Sequence, residues 1–497
     1  MSHENGERAK FSGYIGFVLA AAASAVGLGN LWRFPYLASH YGGGIFVVIY
    51  IIVAVTFGFS LMIAEIAIGR KTGKSCLHAF GELARKYRWL GVICALVPIF
   101  VVSYYFVIGG WVAKWFAETA LGHLSDMSGY AGNYWWDYVT GGISGIGDPA
   151  IWFFVFAGLC FACVLLGVDR GIERVSRVLM PALLVMIIGI SAYNLIAIDG
   201  IWDGVRFYLS PDIGELTGGT FLGAISQVFY SMSLAMGIMI TYGSYMRKDT
   251  SIEKSVRNIS LIDTVVAILA GLMIVPPAYI FGMGDEKGMG LMFEAMPDVF
   301  SNMPGGEFIA PVFYLLVLFA ALTSAVSLLE AVVSVFSDAT NGRRNRSIVL
   351  ALIVLIPLGI LAVLGFGPLM TDLGPFDQGA GILGIFDTLT NSIMMPIAAI
   401  LTCVFIAVVI KTKAITDEVE AEGQHFRSKG LFEVMIKFVC PIMLSFMLVL
   451  GLADMFGIFS IYRGGSQHPG GWNLYPDGSQ LFERFYTIVL IQGHERF

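Results

Sequence analysis

The sequence predicts an all-α protein that crosses a membrane many times, and three observations lead there. Of its 497 residues, 57% are hydrophobic and only 13% are charged, with a mean hydropathy of +0.77. A soluble fold of this length cannot hide that much apolar surface. The apolar residues fall in runs of about 20 or more, the length a helix needs to cross a hydrocarbon core. The loops between those runs alternate between rich and poor in Lys and Arg. The net charge of −6 is modest, and no basic tract points to nucleic acid.

Taken in order, the runs predict eleven helices, at 12–38, 43–70, 89–118, 150–167, 172–198, 219–246, 257–284, 307–339, 346–368, 379–411 and 430–456. The short polar segment 1–11 has no signal-peptide cleavage pattern, so the first helix is expected to stay and the segment to be cytoplasmic. One set of loops carries Arg70, Lys71, Lys74, Arg85, Lys86 and Arg88, then Arg170, Arg174 and Arg177, then Arg247, Lys248, Lys254 and Arg257. It continues with Arg343, Arg344 and Arg346, and ends with Lys411, Lys413, Arg427 and Lys429. In the other set, 119–149 and 369–378 have no such residue, 199–218 has Arg206 and 285–306 has Lys287. The positive-inside rule then puts the N-terminus in the cytoplasm of a multi-pass cell-membrane protein. An odd helix count puts the C-terminus outside. Residues 457–497 are rich in Gly, Ser, Pro and aromatics, and Phe482 to Ile491 is too short to span, so a flexible tail is expected. The six cysteines (Cys76, Cys94, Cys160, Cys163, Cys403, Cys440) lie in apolar runs or basic loops, so no structural disulfide is expected.

The first run is interrupted in its middle by Val26-Gly27-Leu28-Gly29-Asn30, with Trp32, Arg33 and Pro35 following in the same apolar stretch. Irregular backbone at membrane depth survives only where protein or a polar cavity satisfies its N–H and C=O groups. The sixth run breaks too, with Tyr230, Ser231, Ser233, Met236 and Gly237 at its midpoint. Paired interruptions in two halves of a membrane protein point to a transporter's midplane binding site. Close packing of small residues is the plainer reading, but it leaves Asn30 and Arg33 unexplained, because polar and charged groups are costly there.

The stretch SAVGLGNLWRFP resembles the first-helix signature of the neurotransmitter:sodium symporter family. LMIAEIAIGR at 61–70, RGIERVSRVLMP at 170–181, SQVFYSMSLAMGIMITYGSYMRKD at 226–249 and FAALTSAVSLL at 319–329 match further blocks in order. The resemblance covers roughly residues 8–456. It implies a 5+5 inverted-repeat transporter fold with discontinuous helices 1 and 6. The first repeat is then 12–198, the second 219–411, and 430–456 an added eleventh helix. It also implies sodium-coupled symport by alternating access. Eleven helices, with Ser233 and Met236, are similar to the bacterial branch that carries multiple hydrophobic amino acids.

The resemblance maps a substrate site onto Ser24, Ala25, Leu28, Gly29, Val101, Tyr105, Tyr230, Ser231, Ser233, Met236, Ser324 and Leu328. Tyr105 is expected to bond the substrate carboxylate, and half-helix ends suit carboxylate and ammonium without charged side chains. Ser24 stands where monoamine carriers place a carboxylate, so the substrate should keep its own. Met236 can re-pack around differently shaped side chains, aliphatic or aromatic. Two Na⁺ sites are implied. One comprises Ala25, Asn30, Ser231 and Asp263 with the substrate carboxylate; the other comprises Ala23, Val26, Ala320, Thr323 and Ser324. Where relatives carry asparagine, this chain has Asp263, and Ala267 replaces the serine of chloride-dependent members, so no chloride requirement is expected. Arg33 and Asp387 are implied as an outer gate, directly or through water, with Tyr230 as lid. Arg8 and Asp338 are implied as an inner latch, with Phe11 and Tyr245 beside them. Glu65 is expected to satisfy the unwound backbone of helix 6. Gly171 and Pro181 are expected to let helix 5 loosen and admit water to the inner Na⁺ site.

Other chemistry finds little support. Gly282 to Gly288 lacks the strand and spacing of a dinucleotide loop, and the seven histidines show no zinc spacing. No nucleophile–base set or phosphate loop is evident, so an enzyme or an ATP-driven pump is not expected, and no obligate protein partner is indicated. A channel or receptor scaffold with a vestigial site, and coupling to protons through Asp263, remain the alternatives.

Overall fold

The computed structural model describes residues 10–128, 134–141, 147–282, 288–340, 342–367, 369 and 380–456. Arg8 and the expected tail 457–497 lie outside them. Among the described residues the architecture is all helical, and β pairing is limited to one bridge between Gly43 and Pro211. The first apolar run forms α1 (Tyr14–Ala25) and α2 (Gly29–His40), bent by 52° at the break. Then follow α3 (Gly44–Thr72), α4 (Arg85–Ala120), α5 (Asp148–Leu165) and α6 (Val168–Ala197). The second broken run gives α7 (Gly218–Ser231) and α8 (Ile238–Tyr245). The series ends with α9 (Ile252–Ile280), α10 (Gly306–Ala339), α11 (Arg344–Leu364), α12 (Gly381–Val409) and α13 (Lys429–Ala453).

Nine described helices are long and apolar enough to cross a membrane, ten with the bent pair α1–α2 counted as one. The expected count of eleven is therefore not reached by length alone. The missing one is α7 and α8, of 14 and 8 residues, each too short to span by itself.

Burial sorts the helices into layers. The apolar windows of α3, α4 and α10 are each 72% buried, and that of α9 is 67%. Those of α6 and α13 fall to 33% and 22%, with exposed Val178, Val185, Val434 and Phe446 turned outward. The inner helices therefore surround the two breaks, and the outer ones present the apolar face a lipid bilayer requires.

At one end of the bundle, aromatic rings cluster: Trp111 packs on Trp135, Phe293 and Phe366 at 5.9, 5.8 and 5.3 Å. Trp115 lies 5.1 Å from Phe293 and donates through Nε1 to its carbonyl at 3.2 Å. Trp32 of α2 reaches the same Phe293 ring at 6.2 Å.

Candidate functional site

The first break begins where α1 ends at Ala25 and Val26 turns extended (φ −74°, ψ 99°). Gly27 N–H then donates to Asn30 Oδ1 at 3.2 Å, and Asn30 N–H to the Gly27 carbonyl at 3.1 Å. This tight local loop leaves α1's last carbonyls without helical partners. Side chains from elsewhere take them. Ser233 and Ser324 hydroxyls each donate to the Ser24 carbonyl at 3.1 Å, and Ser324 also to Val26 at 3.4 Å. Gln227 Nε2 donates to the Gly29 carbonyl at 2.9 Å, tying one broken helix to the other.

The second break is more strained. Ser233 (φ 54°) and Ala235 (φ 58°) sit in the left-handed region that side chains disfavour, and Gly237 (φ 70°) follows before α8 starts. The freed Ala235 N–H donates to Glu65 Oε1 at 2.6 Å, so α3 supplies the missing acceptor. That contact matches the role expected for Glu65.

Between the breaks lies a cavity. All twelve residues expected to form the substrate site line it, along with Gly27 and Ile238. Leu28, Val101, Met236, Ile238 and Leu328 give it apolar walls, and serines with Tyr105 and Tyr230 give it polar ones. Leu28 N–H points at the Tyr105 hydroxyl at 3.5 Å, placing a main-chain donor and a phenol together at the N-terminal side of α2.

Beside the cavity, Asp263 is fully buried. Its Oδ1 accepts from Asn30 Nδ2 at 2.8 Å, and its Oδ2 from Tyr50 at 3.1 Å and Ser231 at 3.2 Å. Asn30, Ser231 and Asp263 are thus brought together next to Ala25. On α10, Thr323 donates to the Ala320 carbonyl at 3.1 Å, and Ser324 faces the Val26 carbonyl, with Ala23 buried one turn earlier on α1. Both expected ion-ligand sets consist of oxygen donors only, the kind a hard cation selects.

The gate residues fare unevenly. Arg33 directs Nη1 to the Ser226 carbonyl (3.1 Å) and Nη2 to its hydroxyl (2.6 Å), with its guanidinium 5.3 Å from the Tyr230 ring centre. Asp387 accepts from Asn391 at 2.5 Å. A direct Arg33–Asp387 pair is therefore not formed among the described residues; Ser226 and Asn391 offer nearer partners from the same or adjoining helices. At the other end, Asp338 accepts from Ser75 N–H (2.8 Å) and hydroxyl (2.6 Å), 3.7 Å from His78 Nδ1. Phe11 N–H donates to the Tyr245 carbonyl at 3.1 Å, and the two rings meet edge to face. Tyr245 in turn donates to the buried Glu330 at 2.8 Å, which Arg344 grips through both Nη atoms at 2.9 and 2.7 Å.

Sequence reasoning missed Tyr50, Gln227, Ile238 and the Glu330–Arg344 pair. Tyr50 is the lone hydroxyl in the run GIFVVIYIIV, and Glu330 the lone charge in SLLEAVV. Either could have been flagged as a polar group in an apolar helix.

A family profile described as the sodium:neurotransmitter symporter family matches residues 8–127 and 123–463. The uncharacterized sodium-dependent transporter YhdH of Bacillus subtilis is 32% identical over 446 residues, 88% of this chain and 97% of the relative. An uncharacterized sodium-dependent transporter of Haemophilus influenzae is 29% identical over 469 residues, 92% of this chain and all of the relative. Among solved structures, MhsT in complex with L-phenylalanine superposes with a TM-score of 0.79 at 31% identity, over 89% of this chain and all of that one.

Proposed function

Because the chain belongs to the sodium:neurotransmitter symporter family, whose members are sodium-dependent transporters rather than enzymes, we propose that it imports hydrophobic L-amino acids with Na⁺ by alternating access. The observation that carries this reading is the cavity between two broken helices, lined by apolar side chains and by main-chain groups that no helix uses. MhsT was crystallised with L-phenylalanine, and the apolar walls here suit such a side chain. The substrate carboxylate would meet the Leu28 N–H and the Tyr105 hydroxyl at the positive end of α2. Its side chain would lie among Val101, Met236, Ile238 and Leu328.

Two Na⁺ ions travel with it in this reading. Ala25, Asn30, Ser231 and Asp263 hold one, next to the substrate carboxylate. Ala23, Val26, Ala320, Thr323 and Ser324 hold the other, where α1 meets α10. A shared ligand makes substrate and ion raise each other's affinity. Asp263 supplies the fixed negative charge, so chloride is not required. The two halves are 12–198 and 219–411, with 430–456 appended. The basic loops face the cytoplasm, together with the N-terminus, and the C-terminus lies outside.

The test is uptake of labelled leucine and tryptophan into proteoliposomes, with and without an inward Na⁺ gradient. Accumulation driven by Na⁺, and undiminished when gluconate replaces chloride, is expected. Binding without accumulation would turn the reading to a receptor scaffold, and drive by a proton gradient would move the coupling to Asp263 protonation.

A further inference from the structure

The base of α1 is held by a group the transport reading has not used. Glu173 is buried, its side chain 3% exposed, at the end of a π-helical turn, Val168–Glu173, that opens α6. Its Oε2 accepts from Ser12 N–H at 2.9 Å, and its Oε1 takes the Ser12 hydroxyl. Arg177, one turn further along α6, donates to the same Oε1 at 2.5 Å. Gly16 completes the seat: a Cβ there would lie 2.8 Å from Glu173 Oε2 and closer still to the rest of the carboxyl. The carboxylate therefore lies flat across the first turn of α1, in a groove that only glycine leaves open. Gly13, which caps that helix, has no side chain to offer, so Glu173 supplies the negative charge the helix start lacks while taking the N–H and hydroxyl of Ser12 just ahead of it.

We propose that Glu173 is a latch that makes release of α1 and loosening of the start of α6 one event rather than two. This rests on the alternating-access reading above and deepens it. The 12 residues of α1 form a rod of about 18 Å. The latch holds one end; Ala23 and Val26, candidate ion ligands, occupy the other. When the latch parts, the π turn loses its anchor on α1 and α1 loses its anchor on α6, so movement at the base reaches the ion ligands. Other contacts hold α1 from different sides and do not involve α6. Asn258 Nδ2 donates to the Tyr14 hydroxyl at 2.7 Å, and Lys254 Nζ lies 5.1 Å from the Tyr14 ring centre. Glu173 thus acts as a positioning residue, remote from the substrate.

Hydrogen exchange on the full chain in nanodiscs, without Na⁺ or amino acid, tests the latch apart from transport. Glu173→Gln should speed exchange roughly tenfold in both 14–20 and 168–177, the loss expected when a hydrogen bond to a charged acceptor weakens. Gly16→Ala, which evicts the carboxylate while favouring the helix, should do the same, and the double variant should go no further. Glu173→Asp should restore much of the protection. Asn258→Ala should speed 14–20 alone. In uptake assays Glu173→Gln should raise the apparent KM roughly tenfold as the outward-competent population falls, with little change in maximal rate. Acceleration of only one segment, additive effects in the double variant, or parallel acceleration by Asn258→Ala would overturn the proposal. A chain that shows the coupled exchange but no Na⁺-driven uptake would keep the latch and sink the transport reading instead.

Discussion

Asp263 gathers three donors from three helices: Asn30 of α2, Tyr50 of α3 and Ser231 of α7. A carboxylate so placed orients the oxygens around it, and asparagine there would keep the shape but remove the charge. Asp263→Asn is expected to weaken Na⁺ activation of uptake by roughly ten- to a hundredfold, read as the Na⁺ concentration for half-maximal rate. An unchanged Na⁺ curve would separate Asp263 from the ion site. At this scale much was legible beforehand, because the chemistry is carried by polar residues that stand out within apolar runs. What was not legible is who their partners are. Nothing in the order of residues says that Arg33 prefers Ser226 of α7 to Asp387 of α12, since that choice is made by side-chain reach after the helices pack.

The two breaks are elements in their own right, and they are built differently. The first is closed by Asn30 folding back on Gly27; the second is held open by two non-glycine residues in left-handed conformation and by Glu65 from outside. Strain of this kind costs about 1–3 kcal/mol per residue. Ala235→Val should therefore lower stability by about 1–3 kcal/mol, and Ala235→Gly should leave it equal or slightly higher; thermal melts of the purified protein measure both. Equal melts for the two variants would mean that the break relaxes freely. The existence of the breaks could be read from glycines and hydroxyls in mid-run, but the π turns could not. Gly29–Arg33, Ala54–Gly58, Val168–Glu173, Leu291–Ala295, Thr388–Met394, Phe405–Val409 and Met435–Val439 all widen the helix by one residue. Their sequences carry no common mark, because a π turn is set by what packs beside it.

Across the whole molecule, one end is stitched by buried charge. Arg70, with a fully buried side chain, donates through Nε to Glu418 at 2.9 Å, through Nη2 to the Glu418 carbonyl and through Nη1 to the Thr250 carbonyl at 2.7 Å. Lys248 adds a bond to Glu418 at 2.7 Å. The end of α3, the α8–α9 loop and the α12–α13 connection are thereby fixed to one another. Arg70→Ala leaves two main-chain acceptors unpaired and the carboxylate with Lys248 alone, a loss of about 1–3 kcal/mol, and should lower the melting temperature and the yield of folded protein in size-exclusion profiles. Normal yield and melting would show that Lys248 alone holds the joint. The helix ranges came through from hydropathy to within a few residues, with the largest departures near the basic loops, where helix continues into polar sequence. Hydropathy marks where lipid must be faced, and it says nothing about a helix that runs on past the bilayer. It equally treats α7 and α8 as one span, because six irregular residues buried among other helices look as apolar as a helix does.

The ring cluster around Phe293 joins α4 to α2, the helix that carries Arg33, through Trp32. Indole emission depends on how water and neighbouring rings surround it, so the chain contains its own optical probe. A Trp32→Phe variant would remove the reporter on that helix and leave the other eight tryptophans, Trp111, Trp115 and Trp135 among them, as the background to subtract. The difference signal upon adding Na⁺ and amino acid would then time the closing of that side of the molecule without any label.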